Sequence, residues 1–554
     1  MDETAINASS VRSLKDDTKN NSAAETPLNK EDLIVVGSIN SVEDADDVVL
    51  RANGHDPAMQ RQFKWLSALG LAFSITNSWV GYLSNFGQNL IYNGPRMVIF
   101  GLVLAFFVQF AVTLGLSELA SAFPSSGGQY HFCYILAPKK HKRFAAFIIG
   151  WMSVVAWWVV TSSGLSLAAV SICGLARFFH PDFVIHAYQI WLVYVGCAFI
   201  TIVPLFLAPS KVSVTVQVTL FLSLIGMVLM FIIVLAMRQQ VQPASWITQG
   251  GLGTSGWNDG TAWLLGITNA MYTFGGTDGA IHISEEMSQP GRRVPQVMGA
   301  TMLVGILTAL PIMLALMFCM NDLDAVINSP LPSLEIVYQA TGSKAATSFT
   351  IIWLAVIYVI CLTAQWVTAG RIAWAFARDH GVPFSNYFAR IDPYFKFPVR
   401  TTVAAFVFVC CYGLLYLAST TAFNSIVTGA VLYLNITYAV PQGIALFQGR
   451  KKLPPRYLNL GWLGYFCNAF SCLWIVILGV MVCFPPSIPT STATMNYTSV
   501  ILVGLFTIFI IFWFTIGRNF EGPHIQWDMI QVANQISRAK NPTASSSRRA
   551  SVEA

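Results

Sequence analysis

Residues 65–518 form an almost unbroken succession of long apolar runs joined by polar links. A helix needs about 20 predominantly apolar residues to cross the hydrocarbon core of a bilayer. Twelve runs of this kind lie near 65–92, 96–122, 144–175, 187–208, 212–237, 261–283, 296–320, 346–376, 401–418, 421–447, 458–484 and 498–517. Only 10% of the 554 residues are charged and 55% are hydrophobic, whereas soluble domains carry about 25% charge. No compositional boundary divides the region. The chain therefore reads as an all-α polytopic membrane protein with twelve transmembrane helices spanning 63–518. It is flanked by an acidic, aromatic-poor tail at 1–62, expected to be disordered, and a second tail at 519–554. The first 60 residues contain no signal peptide, so the first membrane helix is expected to direct insertion.

Orientation follows from loop charge, because cytosolic loops collect Lys and Arg. One set of loops holds Lys139, Lys140, Lys142, Arg143, Lys211, Arg292, Arg293, Arg378, Arg390, Lys396, Arg400, Arg450, Lys451, Lys452 and Arg456. The opposite set and its margins hold Arg96, Arg177, Arg238 and Lys344. Both termini are thus expected in the cytosol. The sequon at Asn496 then falls in the last outer loop, where glycosylation is expected to be possible; those at Asn7 and Asn435 read as chance matches. The ten cysteines lie mostly in apolar runs without paired spacing. They read as small buried hydrophobes, with no disulfide framework and no metal site indicated.

The sixth run is interrupted. Its apolar half Trp263 to Phe274 stops at Gly275-Gly276-Thr277-Asp278-Gly279, and a shorter half, Ala280 to Ile283, leads into Glu285-Glu286. Together the halves fit one membrane helix broken in its middle. Unpaired backbone groups are costly in lipid, so such a break survives only where it lines a protein cavity. The first run is also interrupted, at Thr76-Asn77-Ser78-Trp79-Val80-Gly81, five helices earlier. Discontinuous helices at matching positions of two halves point to an inverted-repeat secondary transporter. The two halves share no evident residue-level identity, so the repeat rests on this pattern.

Enzyme-like matches fail on context. Gly251-Leu252-Gly253-Thr254-Ser255-Gly256 has no strand before it, as a dinucleotide site would need. His282-Ile283-Ser284-Glu285-Glu286 lacks the second histidine of a zincin. No catalytic residues and no cofactor are expected, and the charge pattern gives no nucleic-acid signal.

Several stretches resemble the amino acid–polyamine–organocation superfamily. They are Ser117-Glu118-Leu119-Ala120 with Phe123 to Tyr130 (FPSSGGQY), Ala369-Gly370-Arg371 with Ala377 to Phe384 (ARDHGVPF), and FGGTDGAIHISEEM followed by PGRRVP. With Tyr92-Asn93-Gly94-Pro95 and Glu521-Gly522-Pro523-His524, the pattern is similar to the fungal amino acid/choline branch, which includes choline and GABA permeases. The resemblance covers roughly residues 60–525. It implies a LeuT-like 5+5 inverted repeat, with substrate held between the unwound parts of helices 1 and 6 and uptake commonly driven by protons.

The candidate substrate-binding residues are Thr76, Asn77, Ser78 and Trp79 at the first break, and Phe274, Gly275, Gly276, Thr277 and Asp278 at the second. Exposed N–H groups at the start of each outer half-helix are expected to attract an anionic substrate group. Asp278 either caps its own half-helix, pairs with a substrate amine, or carries the coupling proton. Trp79, Trp157, Trp158, Tyr272 and Phe274 could wall the pocket, each aromatic face contributing about 0.5–2 kcal/mol to a bound cation. Glu118 and Glu285-Glu286 read as gating ion pairs or as loop anchors. Arg371 either snorkels to the surface or replaces a sodium ion. Ser551, after Arg548-Arg549, resembles a kinase site, and Lys15, Lys19 and Lys30 are reachable for ubiquitin-type modification. The expected function is proton-coupled import of a small amine, such as an amino acid, GABA or choline, across the plasma membrane, with lipid as its surroundings. A nutrient sensor of the same fold, a channel, an exchanger, an exporter or an organellar carrier are the alternatives.

Overall fold

The computed structural model describes residues 42–418, 420–450, 453–491, 495–523, 525, 526 and 529. Asn7, Lys15, Lys19, Lys30 and Ser551 lie outside them. The chain divides into two units, residues 1–57 with 524–554, and residues 58–523. In the first unit Val42–Ala52 is a helix, inside the stretch expected to be disordered. Its acidic composition masks an amphipathic spacing: Val48, Val49 and Ala52 are buried, and the Ala52 carbonyl accepts from the Gln526 N–H at 2.9 Å.

The second unit is built of helices, with no strand among the described residues and one isolated bridge between Phe63 and Met287. Ten helical runs among the described residues are long and apolar enough to cross a bilayer. The first, Trp65–Ala122, is 58 residues long, far more than one crossing needs. It contains α1 (Trp65–Thr76), α2 (Ser78–Arg96) and α3 (Leu102–Ala122). Then come α4 (Gln129–Leu136), α5 (Lys142–Phe179), α6 (Ala187–Leu207), α7 (Val212–Met237), α8 (Asp259–Ala270), α9 (Gly279–His282), α10 (Pro290–Cys319) and α11 (Lys344–Arg378). The remaining long helices are α12 (Val399–Gly413), α13 (Thr420–Gln448), α14 (Trp462–Met481) and α15 (Thr498–Thr515).

Both expected breaks are present. Asn77, between α1 and α2, has φ 30° and ψ 58°. Asparagine is among the few non-glycine residues that enter this left-handed region readily. A second interruption lies within the last turns of α2, at Asn93 and Gly94, with Gly94 at φ 65°, and Pro95 follows it.

The second break differs from its expected form. α8 is capped by the Asn258 side chain, which accepts from the Thr261 N–H at 2.9 Å. It continues through a 3-10 turn, Met271–Phe274, and stops at Gly275. Beyond the break the chain makes only the four-residue α9 and another 3-10 turn, Ser284–Glu286. The apolar letters Ala280 to Ile283 thus belong to a tight turn. The longer half α8 reaches the break with its carbonyl end, so a helix start of useful length exists only at Ser78.

Candidate substrate site and its closures

A cavity of about 50 Å³ sits where the two breaks meet. Its wall is completed by α5, α11 and α13. It is a third of the ~150 Å³ that admits benzene into a protein core, so this conformation is closed around its centre. Among the described residues no Asp, Glu, Lys, Arg or His lines it. Its polar side chains are Ser74, Thr76, Asn77, Tyr272, Tyr358 and Gln365, and Gly275 of the second break also lines it. Asn77 Nδ2 donates to Cys361 Sγ at 3.0 Å, while Oδ1 accepts from the Ser223 hydroxyl at 2.8 Å. Tyr272 hydrogen-bonds Ser163 at 3.1 Å, and Tyr358 donates to the Val80 carbonyl at 3.0 Å. Gln365 Oε1 is buried without a hydrogen-bond partner among the described residues.

Of the residues singled out in the sequence, Thr76, Asn77, Tyr272 and Gly275 line this cavity, as does Gly81 of the first break. The others surround it. Trp79 faces α7, donating through Nε1 to Ser223 at 2.9 Å and bordering a separate small cavity with Met230 and Trp353. Phe274 packs edge-to-face on Phe106, centroids 5.6 Å apart, and Ser78 lies against Gly305 of α10. Thr277 meets Thr113 at 3.4 Å. Trp158 is turned toward Phe408 and the Ala369 carbonyl. Gly276 has φ 83°, and a Cβ there would stand 2.7 Å from Ile75 Cγ2, so only glycine lets the break pack on α1. Replacing Trp79 with phenylalanine should remove one buried hydrogen bond, lowering stability by about 1 kcal/mol. It should leave the order in which competing solutes inhibit uptake unchanged; a reordered series would place Trp79 in the site.

Asp278 is fully buried and points into a closed polar cluster. Oδ2 accepts from Gln129 Nε2 at 2.5 Å and Trp157 Nε1 at 3.2 Å, and lies 3.2 Å from His282 Nε2. Oδ1 accepts from the Tyr438 hydroxyl at 2.5 Å. Sequence reading missed Gln129, His282 and Tyr438. Only His282 left a local trace, standing four residues after Asp278 beside a helix break.

One end of the bundle is closed by buried ion pairs. Glu118 binds Arg450 and Arg456, the latter at 2.7 Å from its Nε. Glu285 receives Arg378 at 2.8 and 2.9 Å. Glu286 receives Arg371, with one contact at 2.9 Å, and Gln62 Nε2 at 2.6 Å. The Phe63 N–H donates to the Glu286 carbonyl at 3.0 Å, pinning the chain just before α1 to the far side of the second break. Arg371 is 4% exposed, which overturns the snorkelling expectation: its guanidinium finds a bidentate carboxylate before it reaches any surface. Tyr130 donates to Asp379 at 2.9 Å. Burial, aided by that carboxylate, holds its hydroxyl well above the ordinary tyrosine value. At the opposite end Arg96 pairs with Asp259 at 3.2 Å.

The family model described as amino acid permease matches residues 63–506, from the Phe63 clamp into the last long helix. The chain belongs to the amino acid permease family. The match covers the breaks, the cavity and the buried pairs. The chain is 30% identical to the choline transporter of Saccharomyces cerevisiae over 90% of this chain and 89% of that protein. It is 29% identical to the transmembrane transporter swnT of Metarhizium robertsii over 83% and 92%. It is 27% identical to the swainsonine transporter swnT of Arthroderma benhamiae over 83% and 92%. This amino acid permease is therefore a multi-pass membrane transporter rather than an enzyme, within the fungal branch that its motifs resemble. Its Asn496 is already engaged. Nδ2 donates to the Val482 and Phe484 carbonyls at 2.6 and 2.9 Å, and Oδ1 accepts from the Thr498 N–H at 3.0 Å. A glycan there would have to displace one of the two carbonyl bonds.

Proposed function

We propose that this amino acid permease imports a small amine-bearing or quaternary-ammonium solute across the plasma membrane by alternating access, driven by protons. The observation that carries the reading is the polarity of the cavity. Two carbonyl ends, of α1 and of the turn after α8, converge on it against one N–H end, that of α2. The last carbonyls of a helix lack intrahelical partners, and each helix end favours a cation by about 0.3–1 kcal/mol. Tyr272 and Tyr358 add aromatic faces and hydroxyls. A cation held this way needs no carboxylate in the cavity wall, and an amino acid's carboxylate retains the α2 start. The choline and swainsonine transporters among its relatives bear names that suit a cationic amine.

The finer architecture belongs to the same proposal. The 58-residue run divides at Asn93–Gly94 into two crossings, and the broken α8–α9 segment supplies another. That makes twelve spans arranged as two five-helix inverted repeats plus two, with both termini cytosolic as loop charge requires. Uptake into proteoliposomes under an inward proton gradient tests the reading, with choline, GABA, neutral amino acids and polyamines in competition. Choline or GABA should accumulate and be displaced by methylated amines. Accumulation of none of the four classes would overturn it.

A further inference from the structure

We infer that Asp278 and His282 together hold the coupling proton, a role that rests on the transport reading above. The argument is hydrogen-bond accounting. His282 Nδ1 lies 2.9 Å from the Ser126 carbonyl oxygen, which can only accept, so Nδ1 carries hydrogen. Nε2 lies 3.2 Å from Asp278 Oδ2. Were the imidazole neutral and the aspartate ionised, two acceptors would confront each other inside a fully buried cluster. The pair must therefore hold one more proton than that. Asp278 also accepts from Gln129, Trp157 and Tyr438. A carboxylate that takes three other donors suits the ionised form, which leaves the extra proton on Nε2 as an imidazolium.

Loss of that proton to water turns an attraction into a repulsion, and the neutral ring must leave Asp278 or Ser126. Either departure reaches the transport cycle. Asp278 immediately precedes α9, and Gly275 three residues earlier lines the cavity. Ser126 bridges the other way: its carbonyl accepts from His282 while its N–H donates to Glu285 at 3.1 Å, the partner of Arg378. His282 is thus tied to the cavity-lining break through Asp278 and to a buried closure through Ser126. The pair is faced by Gln129 of α4, Trp157 of α5 and Tyr438 of α13, with Ile75 of α1 and Thr368 of α11 packed on the adjoining Gly279. The neighbouring charges Glu285 and Arg378 pair with each other.

The test uses the full-length protein in proteoliposomes, with labelled choline as probe, and the variants His282→Gln and His282→Asn. Wild type should concentrate choline about tenfold or more under an inward gradient of one to two pH units, and the variants should only equilibrate it. Choline counterflow at equal pH on both sides should persist in the variants. Variants that concentrate choline as wild type does would overturn the proposal. So would variants that lose counterflow together with accumulation, since that marks a merely structural histidine. Wild type that neither concentrates nor exchanges choline counts against choline as the substrate, and the melting temperature in detergent then decides the proton assignment. Stability from an imidazolium paired with a carboxylate is present at low pH and lost as pH rises. The melting temperature of wild type should therefore fall further between about pH 6 and about pH 8 than that of His282→Gln. An identical pH dependence in both would sink the assignment.

Discussion

Replacing Asp278 with asparagine should reduce gradient-driven uptake to roughly 1% of wild type or below, a barrier increase near 2.7 kcal/mol, with the protein still delivered to the membrane. The two carboxylate oxygens accept from Tyr438 on one side and from Gln129 and Trp157 on the other, where His282 Nε2 also lies 3.2 Å away. An amide nitrogen must confront one of those sides, whichever way the side chain is flipped. Leaving a buried polar group unsatisfied costs about 1–3 kcal/mol, and His282 Nε2 loses the carboxylate that faces it. Asp278 remains inaccessible to the cavity, so apparent affinity in counterflow should change far less than accumulation does. Uptake normalised to surface protein measures the effect. Normal accumulation by the asparagine variant would remove Asp278 from the mechanism.

The second large effect is expected at Glu286 and Arg371. Both side chains are almost wholly buried, and removing one partner of such a pair costs about 3–5 kcal/mol because the other charge stays behind without compensation. Arg371→Met should therefore lower the melting temperature sharply and abolish uptake, and Glu286→Met should do likewise. The double variant should recover most of the stability, because two apolar side chains of similar volume can replace a buried pair at little net cost. A coupling of upwards of about 4 kcal/mol in the four-member cycle is the expected result, since two losses of about 3–5 kcal/mol each give way to a small one in the double variant. Additive losses would show that the pair contributes as two unrelated residues. Restored stability without restored transport would assign the pair to the working cycle as well as to the fold.

How legible the fold was depended on the range of the interaction. The long apolar helices, and the breaks at Asn77 and at Gly275–Asp278, follow from local rules: apolar run length, and the residues able to leave helical geometry. The partners of Asp278 do not, since Gln129, Trp157 and Tyr438 stand 149, 121 and 160 residues away in sequence. Nothing in one chain marks them as neighbours. Trp79 shows a different limit. Adjacency to a break puts it near the cavity, but helical phase turns it toward Ser223. The segment after Gly279 shows a third. Apolar letters alone do not separate a half-helix from a single turn, and here buried ion pairs at Glu285 and Glu286 bind the chain where a longer helix would have run on.

The two ends of the bundle are latched with unequal materials. Glu118, Glu285 and Glu286 are sealed from solvent at one end, whereas Asp259 at the other is 68% exposed. Mobile ions screen exposed charges over about 8 Å at physiological salt, and such a surface pair contributes at most about 1 kcal/mol. Dissolved salt can therefore loosen the Arg96 latch without touching the buried set. The surrounding fluid sets the tension of one door, while the other yields only when the helices behind it move.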